Sequence, residues 1–312
     1  MKSFLFRIFK KTLPLFARLG LTKDTPFVSQ VYNFLYKCFW PYKEIVEVQG
    51  SRMYINRKEE SLVMRKTLEI YAKNRIHEKA TTEIFKKVVK ERDIVIDAGA
   101  NIGYFTLLAA RLVGPTGKVF AFEPEPKNYY YLEKNIKLNN YNHVLIFQKA
   151  VSDRNGKTKL YICDYDTGHH TINKYDGIKN YSKGRATKEK SIEIETITLD
   201  DFLKGRVNKI DVIKMDVEGA EALALAGMDR ILKTNENLKM FIEFFPLLIE
   251  KMGNSPREFV RKLLEDYKFS IYVIPDDYNA MKGKMVKINS VSELINLCEG
   301  EEDHINLFLE KK

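Results

Sequence analysis

DIVIDAGANIGYFT, residues 93 to 106, passes from an apolar run into a helical pattern through two glycines. DIVIDAG reads as a β-strand and NIGYFTLLAARLV as a helix. Gly99 at the strand's end permits a tight turn, and Gly103 in the first helical turn lets a bulky ligand approach the backbone. The order D-x-G-x-N-x-G differs from the G-x-G-x-x-G of dinucleotide-binding turns, which present helix amides to a pyrophosphate. A nucleoside carrying an amino-acid tail needs a partner for an ammonium as well. Asp97 is the candidate for that ammonium, directly or through water, and Asn101 for the carboxylate end.

Glu123 closes the next strand, KVFAFEP, 20 residues beyond Gly103. A carboxylate there can accept hydrogen bonds from both ribose hydroxyls. HVLIFQKAV reads as a third strand running into AVSD (Ala150 to Asp153), where Ser152 or Asp153 would meet an adenine amino group. Alternation of strand and helix continues with KIDVIKMD, EGAEALALAG ending at Gly227, and NLKMFIEFFP. SPRE (Ser255 to Glu258) carries an N-cap serine, Pro at the first helical position and Glu at the third, a helix start before FVRKLLEDY. FSIYVI and HINLFLE follow as strands, separated by a turn-rich stretch and the short helical SVSELINLC. This alternation predicts an α/β fold with a parallel sheet covered on both faces.

The chain divides into three parts: a basic amphipathic segment over 1–45, a short β-hairpin and linking region over 46–79, and an α/β domain over 80–312 with an insertion at 156–190. The hairpin is IVEVQGSRMYINR, with its turn expected at Gly50 and Ser51, and a helix is expected over Ala80 to Lys90. The formal charge of +10 is concentrated at the start, where eight basic side chains from Lys2 to Lys43 face only Asp24 and Glu44. Such a helix suits the surface of an anionic membrane, or packing on the domain with solvated lysines. The N-terminus lacks the uninterrupted apolar core of a signal peptide, and no stretch is apolar enough to span a bilayer. Cys38, Cys163 and Cys298 form no CxxC or Cys/His pattern. These features predict a cytoplasmic protein, with peripheral contact on the inner face of the membrane as an option for residues 1–45.

KMDVEGAE brings Asp216, Glu218 and Glu221 to the end of the fourth strand. Acids there can bind a metal, abstract a proton or stabilise a cation, and one of them can simply cap the next helix. Glu243, ending the fifth strand, would complete a hard-oxygen pair with Asp216 for a divalent ion. With no further ligand identifiable, no metal is assigned. The insertion contains DTGHH, in which His169 or His170 is a candidate general base, with Asp216 or Glu218 positioning the reacting hydroxyl.

DAGANIGYFTLLAARLVGPTGKVFAFEPEP, QKAVSDRNGK, ETITLDDFL and DVIKMDVEGAE, in this order and spacing, resemble the FkbM-type methyltransferases. The resemblance covers about Ala80 to Phe245 and does not reach residues 1–45. It implies a class I, Rossmann-like methyltransferase fold: a three-layer α/β/α arrangement around a seven-stranded sheet of order 3-2-1-4-5-7-6, with only strand 7 antiparallel. It further implies S-adenosylmethionine as cofactor, held by Asp97, Gly99, Ala100, Asn101, Gly103, Glu123, Ser152 and Asp153. Asp216 would lie beside the reacting centre. The implied activity is O-methylation of a hydroxyl, on a sugar, a glycan or a lipid-linked saccharide.

Three rivals are weaker. A nucleic-acid methyltransferase would explain the basic charge, but DVEG replaces the Pro-Pro-aromatic run of amino-methylating enzymes and no cysteine has a Pro-Cys context. A non-catalytic nucleoside-binding module leaves Asp216 and the polar insertion without a role. A dehydrogenase is disfavoured by the glycine order.

Overall fold

The computed structural model describes residues 42–56, 62–163, 169–172, 190–275, 284–298 and 304–311, with a few isolated positions before residue 41. Most of the basic N-terminal segment, and with it the membrane-surface expectation, lies outside the described residues. Among the described residues no helix is long and apolar enough to cross a membrane.

Strands β1 (Ile45–Val48) and β2 (Ser51–Tyr54) pair antiparallel. Their turn is Gln49–Gly50, both at positive φ (50° and 82°). It falls one residue earlier than Gly50–Ser51 because Ser51 already belongs to β2 and bonds the Tyr141 hydroxyl at 2.8 Å. Helices α1 (Leu62–Ala72) and α2 (Lys79–Val88) lead into the alternating part: β3 (Ile94–Ala98), α3 (Tyr104–Val113), β4 (Lys118–Phe122), α4 (Pro126–Asn139) and β5 (Val144–Phe147).

There the alternation breaks, and HVLIFQKAV is two strands where one was expected. β6 (Ala150–Val151) joins β7 (Gly156–Tyr161) and β8 (Ser191–Ile197) in a separate three-stranded sheet of order β6-β8-β7. The run divides at Gln148–Lys149, where the chain leaves the main sheet for this smaller one. The insertion expected to be loop-rich thus opens with a strand, and Lys157 to Lys159 escape notice because only Leu160 on β7 is buried.

The chain then continues through α5 (Leu199–Leu203), β9 (Val212–Met215), α6 (Glu221–Ala226), α7 (Asp229–Thr234), β10 (Lys239–Phe244), α8 (Pro246–Lys251) and α9 (Pro256–Arg261). The SPRE reading holds: the Ser255 side chain caps α9 by accepting the Glu258 N–H at 3.3 Å. After a π-helical turn over Lys262–Asp266 come β11 (Ser270–Val273), β12 (Val286–Ile288), α10 (Val291–Asn296) and β13 (Ile305–Glu310).

The main sheet has the order β5-β4-β3-β9-β10-β13-β11-β12. The pairings β5/β4, β4/β3, β3/β9 and β9/β10 are parallel; β13 is antiparallel to both β10 and β11. The expected seven-stranded order is therefore corrected to eight strands. The additional strand β12 pairs antiparallel with β11 at the edge, so two strands run against the other six. Its three residues, VKI, sit in a stretch that reads as turn-rich, and Val286 is exposed, so no buried apolar run announces it.

Alternating residues of the central strands serve two apolar layers. Ile96, Ala98, Ile213, Met215 and Ile242 pack on one face; Val95, Ala121, Val212 and Phe241 pack on the other, beneath Phe85 of α2 and Phe105 of α3. By the two-residue repeat of a strand, Asp97, Lys214 and Glu243 fall on this second face. Close packing also fixes Gly227 after α6, where a Cβ would come within 1.9 Å of the Ser152 carbonyl oxygen. Gly227→Ala is therefore expected to destabilise the fold by about 2–3 kcal/mol, read as a lowered urea midpoint at unchanged slope.

Candidate functional site

The turn after β3 is held almost entirely by backbone. Gly99 and Ala100 both donate to the Phe122 carbonyl (2.9 and 3.0 Å), tying the turn to the end of β4. Gly99 has φ 83°, and a Cβ there would lie 1.8 Å from the Asp216 carbonyl oxygen, so only glycine allows β9 to close against the turn. Asp216 in turn donates its N–H to the Ala98 carbonyl at 3.0 Å. Gly103, at φ 100°, begins α3 under Leu132 of α4. Buried Asn135 of α4 clamps the turn to the hairpin, donating to the Ile102 carbonyl at 2.8 Å and accepting the Tyr54 N–H at 2.7 Å.

Asp97 is 1 % exposed. Its Oδ2 accepts from the Thr106 hydroxyl at 2.6 Å, while Oδ1 is buried with no hydrogen-bond partner. Burial raises its carboxyl above the ordinary range, against the opposing pull of the Lys214 charge. Asn101, at φ 50°, donates its N–H to Glu123 Oε2 (2.8 Å) and accepts the Ile102 N–H on its own Oδ1 (2.7 Å). Its side-chain oxygen thus braces the turn, leaving Nδ2 as the group to offer a ligand. Glu123 Oε1 accepts the Glu125 N–H at 2.9 Å, so each carboxylate oxygen is oriented by one backbone amide. Burial pushes its carboxyl up to about 7 despite those bonds.

Ser152 and Asp153 directly follow β6 of the small sheet. The Ser152 hydroxyl bonds Asp153 Oδ1 at 3.1 Å, its N–H reaches the Ile197 carbonyl, and Asp153 pairs with Arg154. No hydrogen bond joins either residue to Glu123 among the described residues.

The acids of the fourth strand separate by role. Glu221, 1 % exposed, accepts the Val217 and Gly219 N–H groups on Oε1 and so folds the turn before α6. Asp216, Glu218 and Glu243 come together instead, each offering a carboxylate oxygen within 4.8 Å of the others. Lys214, which the sequence reading passed over, supplies the counter-charge. It is 6 % exposed, its Nζ donates to Asp216 Oδ2 at 2.8 Å, and it lies 4.9 Å from the centre of the Phe105 ring. Burial alone would lower the Lys214 ammonium, but the carboxylates of Asp216, Glu78 and Asp97 raise it well above the ordinary value.

Burial alone would raise Asp216; Lys214 and a hydrogen bond from Glu243 instead hold its carboxyl low. Glu243 moves the other way, raised by burial and by the charges of Asp216, Glu218, Glu221 and Glu78. The two neighbouring carboxyls are thus pushed in opposite directions, Asp216 down by Lys214 and Glu243 up by burial and the surrounding charge. His304, also missed in the sequence, lies 3.8 Å from Glu243 Oε1.

The histidine segment meets this cluster. Thr171 pairs with Tyr161 of β7 and donates its hydroxyl to the Glu218 carbonyl at 3.1 Å. His170 Nδ1 accepts the Cys163 N–H at 3.0 Å, so this ring holds the segment to the end of β7. His169 faces the acids, close enough for its charge to lower the Asp216 carboxyl.

The sequence profile of the methyltransferase FkbM domain matches residues 97–271. Curated relatives include methyltransferase sdnD of Sordaria araneosa, 30% identical over 57% of this chain and 73% of its own length. The 2-O-methyltransferase NoeI of Sinorhizobium fredii is 27% identical over 48% of this chain and 63% of its own length. Hexuronic acid methyltransferase AglP of Haloferax volcanii is 28% identical over 58% and 65%. The chain thus spans less than two thirds of the length of the latter two.

Raised carboxyls leave a signature in stability. Glu123, and Glu221 likewise, move from the ordinary 4.5 to about 7, so between those values the folded chain holds more protons than the unfolded one. Stability contributed by these groups is full below the lower value and is lost as pH rises through the upper one. Glu123→Gln should flatten this decline by up to about 1.4 kcal/mol per pH unit, as read from urea unfolding at a series of pH values.

Proposed function

The chain belongs to the FkbM methyltransferase family, and we propose that it transfers the methyl group of S-adenosylmethionine to a hydroxyl of a sugar or glycan acceptor. That it is an S-adenosylmethionine-dependent methyltransferase follows from the family. The oxygen of a sugar as acceptor is the finer reading. It is supported by the relatives that methylate a 2-O position and a hexuronic acid, and by a centre built for handling a proton.

The residues fit the cofactor. The orphaned Asp97 Oδ1 suits a ligand-side or water-borne donor, the amide-oriented oxygens of Glu123 suit two ribose hydroxyls, and glycines at 99 and 103 let the turn close tightly against β9 and α4. Ala100 and Asn101 complete the turn, and Ser152 and Asp153 are reserved for the adenine side, where their support is the sequence pattern alone. When bound, the cofactor supplies an electrophilic methyl on a sulfonium.

What the chain adds is alignment and a place for the acceptor's proton. The observation that carries the reading is the contact of Asp216 with the cofactor turn. Its N–H and carbonyl pack on Ala98 and Gly99, so the ionised carboxylate lies one strand spacing from the donor site. Asp216 is held too acidic by Lys214 to be a good base near neutral pH, whereas an imidazole titrates near ~6.5. His169 therefore serves as the general base, Asp216 stabilises the imidazolium that results, Glu218 at the mouth of the cluster receives the acceptor, and His170 keeps the segment in place.

A metal-assisted variant has the Asp216, Glu218 and Glu243 oxygens in its favour. The Lys214 ammonium already occupies Asp216 Oδ2 at 2.8 Å, so no metal is assigned. Activity is expected to persist in chelator; loss restored by magnesium would reverse this assignment.

His169→Ala is expected to lower kcat by about 10²–10⁴-fold while leaving S-adenosylhomocysteine affinity within about twofold. Wild-type turnover in that variant would remove His169 as base. Incubation of cell extract with methyl-labelled cofactor, followed by fractionation, should put label in the glycan fraction. Label confined to protein or nucleic acid would overturn the sugar reading.

A further inference from the structure

Glu78 lies before the matched residues 97–271 and belongs to none of the motifs above. Its backbone is left-handed, φ 41° and ψ 65°, a conformation that a residue with a long side chain adopts only under constraint from its surroundings. The constraint is visible. Glu78 Oε1 is 3.1 Å from His77 Nε2, and the His77 ring stands edge-on to Tyr71 and Tyr104, which stack on one another at 5.2 Å. The Tyr104 hydroxyl meets the His77 N–H at 3.3 Å, and Thr82 donates its hydroxyl to the His77 carbonyl at 2.6 Å. Since Tyr104 directly follows Gly103, the carboxylate is built rigidly onto the cofactor turn.

Two further facts say what it faces. Glu78 begins α2, which covers the sheet face bearing Asp97, Lys214 and Glu243, and its charge acts on Lys214, Asp97 and Asp216. Its side chain is 17% exposed, whereas Asp97 is 1 % exposed with one oxygen committed to Thr106. Asp97 is thus too deep to be the outer partner of a ligand cation, and Glu78 is not. Although burial would raise its carboxyl, His77 and the nearby Lys214 hold it low, so the group is ionised. The acidic groups of Asp97, Asp216 and Glu78 gather here around Lys214, a setting that favours a cationic group on a ligand.

We propose that the Glu78 carboxylate receives the α-ammonium of the cofactor's amino-acid tail at the rim of the turn, with Asp97 beneath it. The assignment rests on the S-adenosylmethionine reading. It gives α2 a binding role outside the family's matched region, and makes the His77–Tyr104–Tyr71 stack the support that keeps the carboxylate in place.

The test compares two probes by calorimetry on the full chain: S-adenosylhomocysteine, which carries the ammonium, and 5′-methylthioadenosine, which lacks the amino-acid tail. Glu78→Gln should weaken S-adenosylhomocysteine binding roughly tenfold to a hundredfold, as for a lost charge-assisted hydrogen bond, and leave 5′-methylthioadenosine within about twofold. Glu78→Asn, which tolerates positive φ better, should give the same split and guards against misfolding of the first variant. Unchanged S-adenosylhomocysteine binding, or equal loss for both probes, overturns the assignment alone. Failure of the wild-type chain to bind S-adenosylhomocysteine would overturn the cofactor reading and this assignment with it.

Discussion

An ammonium buried in the middle of a parallel sheet is costly unless it is paired on several sides, and Lys214 meets that condition. It sits on β9 with every residue of the strand buried, directly across from Asp97 in register, bonded to Asp216 two residues on, and over the Phe105 ring. Each partner belongs to a different part of the site: Asp97 to the strand that leads into the glycine turn, Asp216 to the acid cluster, Phe105 to the helix that the turn begins. Without the ammonium, the carboxylates of Asp97 and Asp216 would be neighbours on adjacent strands, and one would have to take up a proton.

The surrounding acids fall into two populations. Asp216 and Glu78 are held ionised, while Glu243, Glu123 and Glu221 are pushed up by burial. Acids whose environments move them in opposite directions can divide the roles of fixed charge and proton carrier. The Asp216–Glu243 pair is the local example, with the lowered member bonded to Lys214 and the raised member beside it.

The donor half of the molecule was legible because its constraints are local. Gly99 and Gly103 are required by backbone geometry, Glu123 closes a strand of ordinary length, and Ser255 and Glu258 mark a helix by their own hydrogen bonds. What escaped is set by distant contacts. β12 has two exposed residues and a single buried one, Ile288, and exists because β11 offers an edge; β6 leaves the main sheet because β8, more than forty residues later, pairs with it. Lys214 reads as a polar interruption of a strand until the register brings Asp97 opposite it. His77 and Glu78 carry no motif, and it is the ring contacts and hydrogen bond with Tyr104 that bring them to the turn.

The strands that bracket the insertion fix where the chain can change in length. Tyr161 at the end of β7 lies opposite Ser191 at the start of β8, so the two ends of the intervening chain are held side by side by the sheet itself. Closing a loop on ends already fixed together costs only about 0.6 kcal/mol for each doubling of its length. Segments of different size and composition can therefore be exchanged at this point with little effect on the stability of the donor half. The small sheet acts as a socket, and the segment between its strands as the part that plugs into it.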